Sequence, residues 1–234
     1  MLTLRLSALP STIVGIYGPG KDTLPSRMRF LAPDAAESYM RMDRSALRPR
    51  ASDMLRSAES SLQAGHEKRG VMPPGRSGHN FGFSVDVDVT WMRKQYQWTK
   101  KDMDTELAKA GWYCHRKDHE IDSECWHYNY FGPDPGRYLD ASSAYGSTAS
   151  GLELMIQDRY GAGFVLTPSE IQTVLSQMKL YTGTIDGDLG PLSRQAIKAF
   201  QRAWRLPETG LAGQDTQRLL SFIGSQREDV PLSV

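Results

Sequence analysis

One stretch, Gly75 to Asp88, constrains the fold more than any other. From Phe83 onward the side chains alternate, with Phe83, Val85, Val87 and Val89 on one side and Ser84, Asp86 and Asp88 on the other. A period of two is the signature of a half-buried β-strand. The approach to it is rich in glycine and carries Ser77 and His79, so it reads as a loop feeding the strand. A loop imidazole and a carboxylate on the strand's polar face can then converge, and that donor pair suits zinc.

Two side chains hold a metal loosely, so a further ligand is expected from a distant segment. Glu124-Cys125-Trp126-His127-Tyr128-Asn129-Tyr130 supplies one. Trp126, Tyr128 and Tyr130 alternate with His127 and Asn129, which predicts a second strand with an aromatic face and a polar one. Glu124 and His127 are three residues apart, so in a straight strand they would point to opposite faces. Both reach one site only if Glu124 sits in a turn or bulge entering the strand. Two histidines and one aspartate, with a carboxylate nearby, form the donor set of a catalytic zinc, which keeps one position for water. His79, Asp86 and His127 are therefore the expected ligands of Zn2+. Glu124 is the expected base that takes the water's proton. Asp88, on the same strand face as Asp86, reads as a solvated strand-end carboxylate. A structural site built from Cys114, His115, His119, Cys125 and His127 is the rival reading, but its spacing fits no compact zinc finger and leaves Ser77 to Asp86 unexplained.

These residues carry a resemblance. Ser77, His79, Gly82 and Asp86 form S-x-H-x-x-G-x-x-x-D, and Glu124, Trp126 and His127 form E-x-W-H. Together they resemble the family of zinc D-Ala-D-Ala carboxypeptidases and phage L-alanyl-D-glutamate endopeptidases, over most of residues 50–132. The resemblance implies the same three ligands and the same base. It also implies that Arg56, in Leu55-Arg56-Ser57, stabilises the developing oxyanion, and that Ser77 and Trp126 contact substrate. Ser84 stands where the family usually has alanine and Cys125 where the carboxypeptidases often have proline. The implied fold is α+β, a small antiparallel-sheet peptidase domain of the D,D-peptidase and Hedgehog type.

The C-terminal quarter has its own pattern. Thr167-Pro168-Ser169-Glu170 is a capping box with proline at the first helical position, followed by Ile171, Val174, Leu175 and Met178 at helical spacing. Ala196, Ile197, Phe200 and Trp204 make a second apolar stripe, and Leu219, Leu220 and Phe222 a third. Gly187 to Ala196 matches Gly210 to Leu219 as G-x-x-G-x-x-[ST]-x-x-apolar, so each copy is expected to be a glycine turn feeding a capped helix. Residues 166–222 resemble a small three-helix peptidoglycan-binding domain, through Asp186-Gly187, Gly190, Ser193, Ala196 and Phe200-Gln201.

Between these regions Ala141 to Gly151 is a small-residue run that reads as a flexible connection, with one short helix possible over 152–160. The expected organisation is 1–140 catalytic, 141–163 linker, 164–224 a wall-binding three-helix bundle and 225–234 a polar tail. Composition limits the partners. Lys plus Arg number 28 against 27 Asp plus Glu, so a net charge of +1 gives no reason to expect nucleic acid. The four arginines between Arg41 and Arg50 read as a solvated face. Arg5 and Pro10 interrupt any secretory signal core, and no apolar run is long enough to insert in a membrane. Two cysteines form no disulfide framework, and Cys114 and Cys125 can be paired or reduced. Together these features lead to the expectation of a monomeric zinc metallopeptidase acting on peptidoglycan. It would be a phage endolysin made in the host cytoplasm and acting at the cell wall after release, of carboxypeptidase or endopeptidase specificity. The alternative is a non-catalytic wall-binding or morphogenesis protein that retains the zinc fold.

Overall fold

The computed structural model describes residues 6–18, 20–45, 47–67, 75, 77–114, 125–144, 148–160 and 165–225. In chain order the elements are β1 (Ser7–Ala8), β2 (Phe30–Leu31), α1 (Pro33–Arg44), β3 (Ala51–Asp53), α2 (Ala58–Glu67), β4 (Ser84–Val87), α3 (Val89–Tyr96), α4 (Lys100–Lys109), β5 (Trp112–Cys114), β6 (His127–Tyr130), α5 (Gly136–Ala144), α6 (Thr148–Tyr160), α7 (Pro168–Gln177), α8 (Pro191–Ala203) and α9 (Gln214–Ser225), with single 3-10 turns at Ser26–Met28 and Gly78–Phe81. The chain is thus mixed α+β with small antiparallel sheets. Contacts divide it into two compact units. One holds the described residues of 6–57 and 77–155, the other those of 58–75 and 156–225. Helix α2 thus clusters with the C-terminal helices although it lies early in the chain. Among the described residues no helix is long and apolar enough to cross a membrane.

The first unit is built on a four-stranded antiparallel sheet in the order β3-β4-β6-β5. Its central pair sets Ser84 opposite Asn129, Val85 opposite Tyr128 and Asp86 opposite His127. One face therefore carries Phe83, Val85, Val87, Tyr128, Tyr130 and Trp112, all buried. Trp112 packs edge-on against Tyr39 of α1 and donates its indole N–H to Ser38 Oγ at 3.1 Å. Beneath β6, α4 supplies a buried network. Lys100 Nζ donates to Asp104 Oδ1 at 2.5 Å, Tyr128 Oη donates to the same oxygen at 2.5 Å, and the ammonium lies over the Tyr128 ring. Helix α4 starts on the Thr99/Asp102 capping box, so its register, and hence the position of Asp104, is set locally.

The strand expected to be half-buried is buried on both faces. On the polar side the 3-10 turn lies against it. A Cβ at Gly78 would run into Ser84 Oγ, Asn129 Oδ1 and Leu152 of α6, so only glycine permits that approach. The run expected to be linker is instead helical at 141–144 and from Thr148 onward. Alanine and serine are compatible with helix, and Leu152, Met155 and Ile156 bury one side of α6. Two strand expectations also change. β6 begins at His127, with Trp126 in the preceding turn, and Val89 opens α3. Asp88 is no solvated strand end. It caps α3 by accepting the Trp91 N–H at 2.9 Å and pairs with Arg50 Nη1 at 3.1 Å.

In the second unit the Thr167/Glu170 capping box and Pro168 open α7 as expected. The repeat has a cause that the glycines alone did not show. Gln172 Oε1 accepts the Gly187 N–H at 2.8 Å while Nε2 donates to the Asp188 carbonyl at 2.9 Å. Gln201 Oε1 likewise accepts the Gly210 N–H at 2.9 Å while Nε2 donates to the Leu211 carbonyl at 2.9 Å. Gly187 and Gly210 have φ of 78° and 72°, which glycine adopts without strain. Ser193 and Thr216 are not caps. They lie inside the first turns of α8 and α9, where their hydroxyls meet Gln172 and Gln201.

Each glutamine thus acts as a buried staple for one loop. Gln172→Ala or Gln201→Ala should each cost about 1–2 kcal/mol, because the Gly187 or Gly210 N–H loses its acceptor, while the carbonyls keep Ser193 Oγ and the Gly213 N–H as donors. Thermal unfolding would test this; a loss below about 0.5 kcal/mol, the level of an ordinary surface substitution, would refute the staple.

Candidate metal centre

Three segments bring three donor atoms together. Asp86 and His127 face each other across β4 and β6, and opposed residues share a face. His79 arrives from the 3-10 turn, which is itself capped. Ser77 Oγ accepts the His79 N–H at 3.3 Å, and Asn80 reaches back to the Ser77 N–H. Gly82 then takes a φ of 72°, which turns the chain into the strand.

The resulting triangle is tight. His79 Nε2 lies 3.1 Å from Asp86 Oδ1 and 3.1 Å from His127 Nδ1, and His127 Nδ1 lies 2.9 Å from Asp86 Oδ1. Ligands about 2.0–2.1 Å from a tetrahedral zinc are separated by roughly 3.3 Å, so these three atoms fit one face of such a site. Among the described residues this is the group of His, Cys, Asp and Glu able to hold an ion. The tautomer agrees with that role. His79 Nδ1 donates to the Met54 carbonyl at 2.6 Å, which fixes the ring and leaves Nε2 as the lone-pair nitrogen.

Electrostatics point the same way. Burial alone would push His79 down, but the charges of Asp86 and Asp53 outweigh it and raise the imidazole above its ordinary value. Burial would raise Asp86, yet the charge of His79, with the bonds to His127 and His79, holds the carboxyl well below the usual carboxylate range. A carboxylate kept ionised between two imidazoles is a ready cation site.

The other sequence candidates are placed as follows. Ser77 is buried and serves as the cap just described. Arg56 donates its backbone N–H to the His79 carbonyl at 3.1 Å, and its guanidinium pairs with Asp53, with Nε 3.0 Å from Oδ2. Trp126 is exposed beside the start of β6. Glu124, His115 and His119 lie outside the described residues. Cys114 and Cys125 form no disulfide; the Cys114 thiol lies 3.8 Å from the Cys125 carbonyl.

Sequence reasoning missed Met54 and Asp53. A backbone carbonyl leaves no mark in a sequence, so Met54 was invisible. The Asp53-x-x-Arg56 spacing was a usable signal for the ion pair. Asp53 reaches the polar face because a β-bulge between Ala51 and Asp53 sets it opposite Asp86.

Residues 168–220 match the family described as "Putative peptidoglycan binding domain". Two curated relatives are each described as "Putative OxPP cycle protein OpcA". That of Nostoc punctiforme is 43% identical over 65 residues, 27% of this chain and 14% of that protein. That of a Synechocystis strain is 37% identical over 71 residues, 30% of this chain and 15% of that protein. The chain therefore spans about one-seventh of the length of these relatives. A solved structure of the LdcB LD-carboxypeptidase, whose title concerns peptidoglycan recognition, superposes with a TM-score of 0.40 at 16% identity, covering 64% of this chain and 82% of that one.

Proposed function

We propose that the protein is a zinc-dependent peptidoglycan hydrolase that cleaves a peptide bond of the stem peptide or cross-link. The observation that carries this reading is the His79, Asp86 and His127 triangle, whose donor types and spacing suit a catalytic zinc with an open position. The match of residues 168–220 to a peptidoglycan-binding domain supports the substrate class, since a weak anchor raises the local concentration of enzyme on an insoluble polymer. In this reading residues 1–140 carry the chemistry and the protein works at the bacterial wall.

His79, Asp86 and His127 would hold the ion, and Met54 would keep His79 oriented. When bound, zinc supplies Lewis acidity and brings the pKa of water from 15.7 to about 7. Glu124 accepts the proton of the attacking water and returns it to the leaving nitrogen, so acid and base are one carboxyl. Arg56, steadied by Asp53, offers positive charge to the carbonyl oxygen as it becomes an oxyanion.

Digestion of purified muropeptides followed by mass spectrometry identifies the bond. We expect cleavage to stop when a chelator removes about one zinc per chain and to return on zinc addition. Full turnover by metal-free protein would overturn the reading.

A further inference from the structure

Two segments hang on the outer edge of β3, on the side of the sheet away from β6. Gly15 bridges Ala51 in parallel, and the Ala51 N–H donates to the Val14 carbonyl at 3.0 Å, which brings Tyr17 level with Asp53. Tyr17 and Thr23 then close a tight loop with reciprocal backbone bonds of 2.9 and 3.0 Å. Arg50 clamps that loop by donating to the Gly15 and Lys21 carbonyls while holding Asp88. The second segment is the turn Ser26–Met28. The Leu55 N–H donates to the Met28 carbonyl at 3.1 Å, which sets Arg27 beside the stretch that carries Arg56.

The two segments place Tyr17 and Arg27 along the same flank of β3. Tyr17 is exposed, and its hydroxyl makes no hydrogen bond to any described residue. Arg27 is exposed and has no ion pair among the described residues. Burial pushes the Tyr17 phenol up, and the charges it senses are Asp53, Arg27, Asp86 and Arg56. Tyr17 is thus within electrostatic reach of Arg27 and of Asp53 and Asp86. An uncommitted donor and an uncommitted cation beside a peptidase centre form a receptor for an anion.

We infer that Tyr17 and Arg27 form a subsite that receives a carboxylate of the peptide substrate, so that the protein selects acidic stem peptides over amidated ones. This rests on the peptidase reading above. Tyr17 contributes a hydrogen bond and Arg27 the charge, and neither takes part in the proton transfers. Their effect should therefore fall mainly on KM.

The experiment pairs an acidic stem tetrapeptide with the same peptide carrying an amide in place of its free α-carboxylate on the glutamate. Zinc-loaded wild type is expected to show a kcat/KM about tenfold higher for the acidic form, carried by KM, and to bind it more tightly by calorimetry, the more so at low salt. Arg27→Gln should erase the preference and Arg27→Lys should restore most of it. Tyr17→Phe should weaken acidic-peptide binding about fivefold, with zinc content and melting temperature unchanged. Equal handling of both peptides by the wild type, or an unaltered preference in Arg27→Gln and Tyr17→Phe, overturns the subsite alone. A zinc-loaded wild type that neither binds nor cleaves either peptide overturns the peptidase reading and the subsite together.

Discussion

His127→Ala is expected to lose both zinc and hydrolysis, whereas Glu124→Gln should keep zinc and lose hydrolysis alone. Removing His127 leaves His79 and Asp86 as the remaining protein donors of the triangle, and metal affinity falls steeply when the ligand set is incomplete. Since even removal of an outer hydrogen-bond partner typically costs 10–100-fold in affinity, loss of a direct ligand should cost more than about 100-fold. Glu124→Gln preserves size and removes only the proton acceptor, a role worth roughly 10²–10⁴ in rate. Metal analysis after dialysis, run beside a turnover assay, separates the two. Asp88→Ala is the control. It removes a helix cap worth about 1 kcal/mol, and zinc and most of the activity should survive. If Glu124→Gln loses its zinc while Asp88→Ala loses activity, the roles given to Glu124 and Asp88 are wrong.

The second large effect concerns the support beneath β6. Asp104→Ala removes the anion that neutralises Lys100 and accepts from Tyr128, all in a buried layer. Breaking a buried pair by deleting one partner typically costs about 3–5 kcal/mol, because the remaining charge has no compensation. At about 2–4 °C per kcal/mol for a chain of this size, the melting temperature should fall by roughly 6–20 °C. The triple variant Lys100→Met, Asp104→Leu and Tyr128→Phe replaces both charges by apolar groups and removes the hydroxyl that would otherwise be left unpaired, and should recover most of that loss. A drop of under about 1 kcal/mol for Asp104→Ala would mean that the layer is wet. Because Tyr128 follows His127 directly and points to the opposite face, folded Asp104→Ala should still bind zinc at low temperature.

Much of the centre was legible because its parts are local. The two-residue period through Phe83 to Val87 placed Asp86 on a polar face, and the alternation through Tyr130 placed His127 on another. Capping boxes at Thr99 and Thr167 are likewise readable, since the donor and acceptor lie three residues apart. The glycine repeat was visible as spacing, and Gln201 as part of the pattern, but not the loop contacts by which Gln172 and Gln201 enforce it. Gln172 reaches Gly187 and Gln201 reaches Gly210 across gaps that no helical or strand period encodes.

What the sequence determined by itself, then, was the set of donor residues, the faces they occupy and the presence of two kinds of unit, because periodicity and caps act over a few residues. Tertiary structure decided the rest. Only pairing of β4 with β6 brought Asp86 against His127, only a bulge turned Asp53 toward them, and only the Met54 carbonyl chose the His79 tautomer. The run from Ala141 to Gly151 shows the same limit from the other side. Its small residues carry no periodic signal, and 148–151 belongs to a helix whose next turns bury Leu152, Met155 and Ile156. Burial against partners distant in sequence, rather than local propensity, decides such segments.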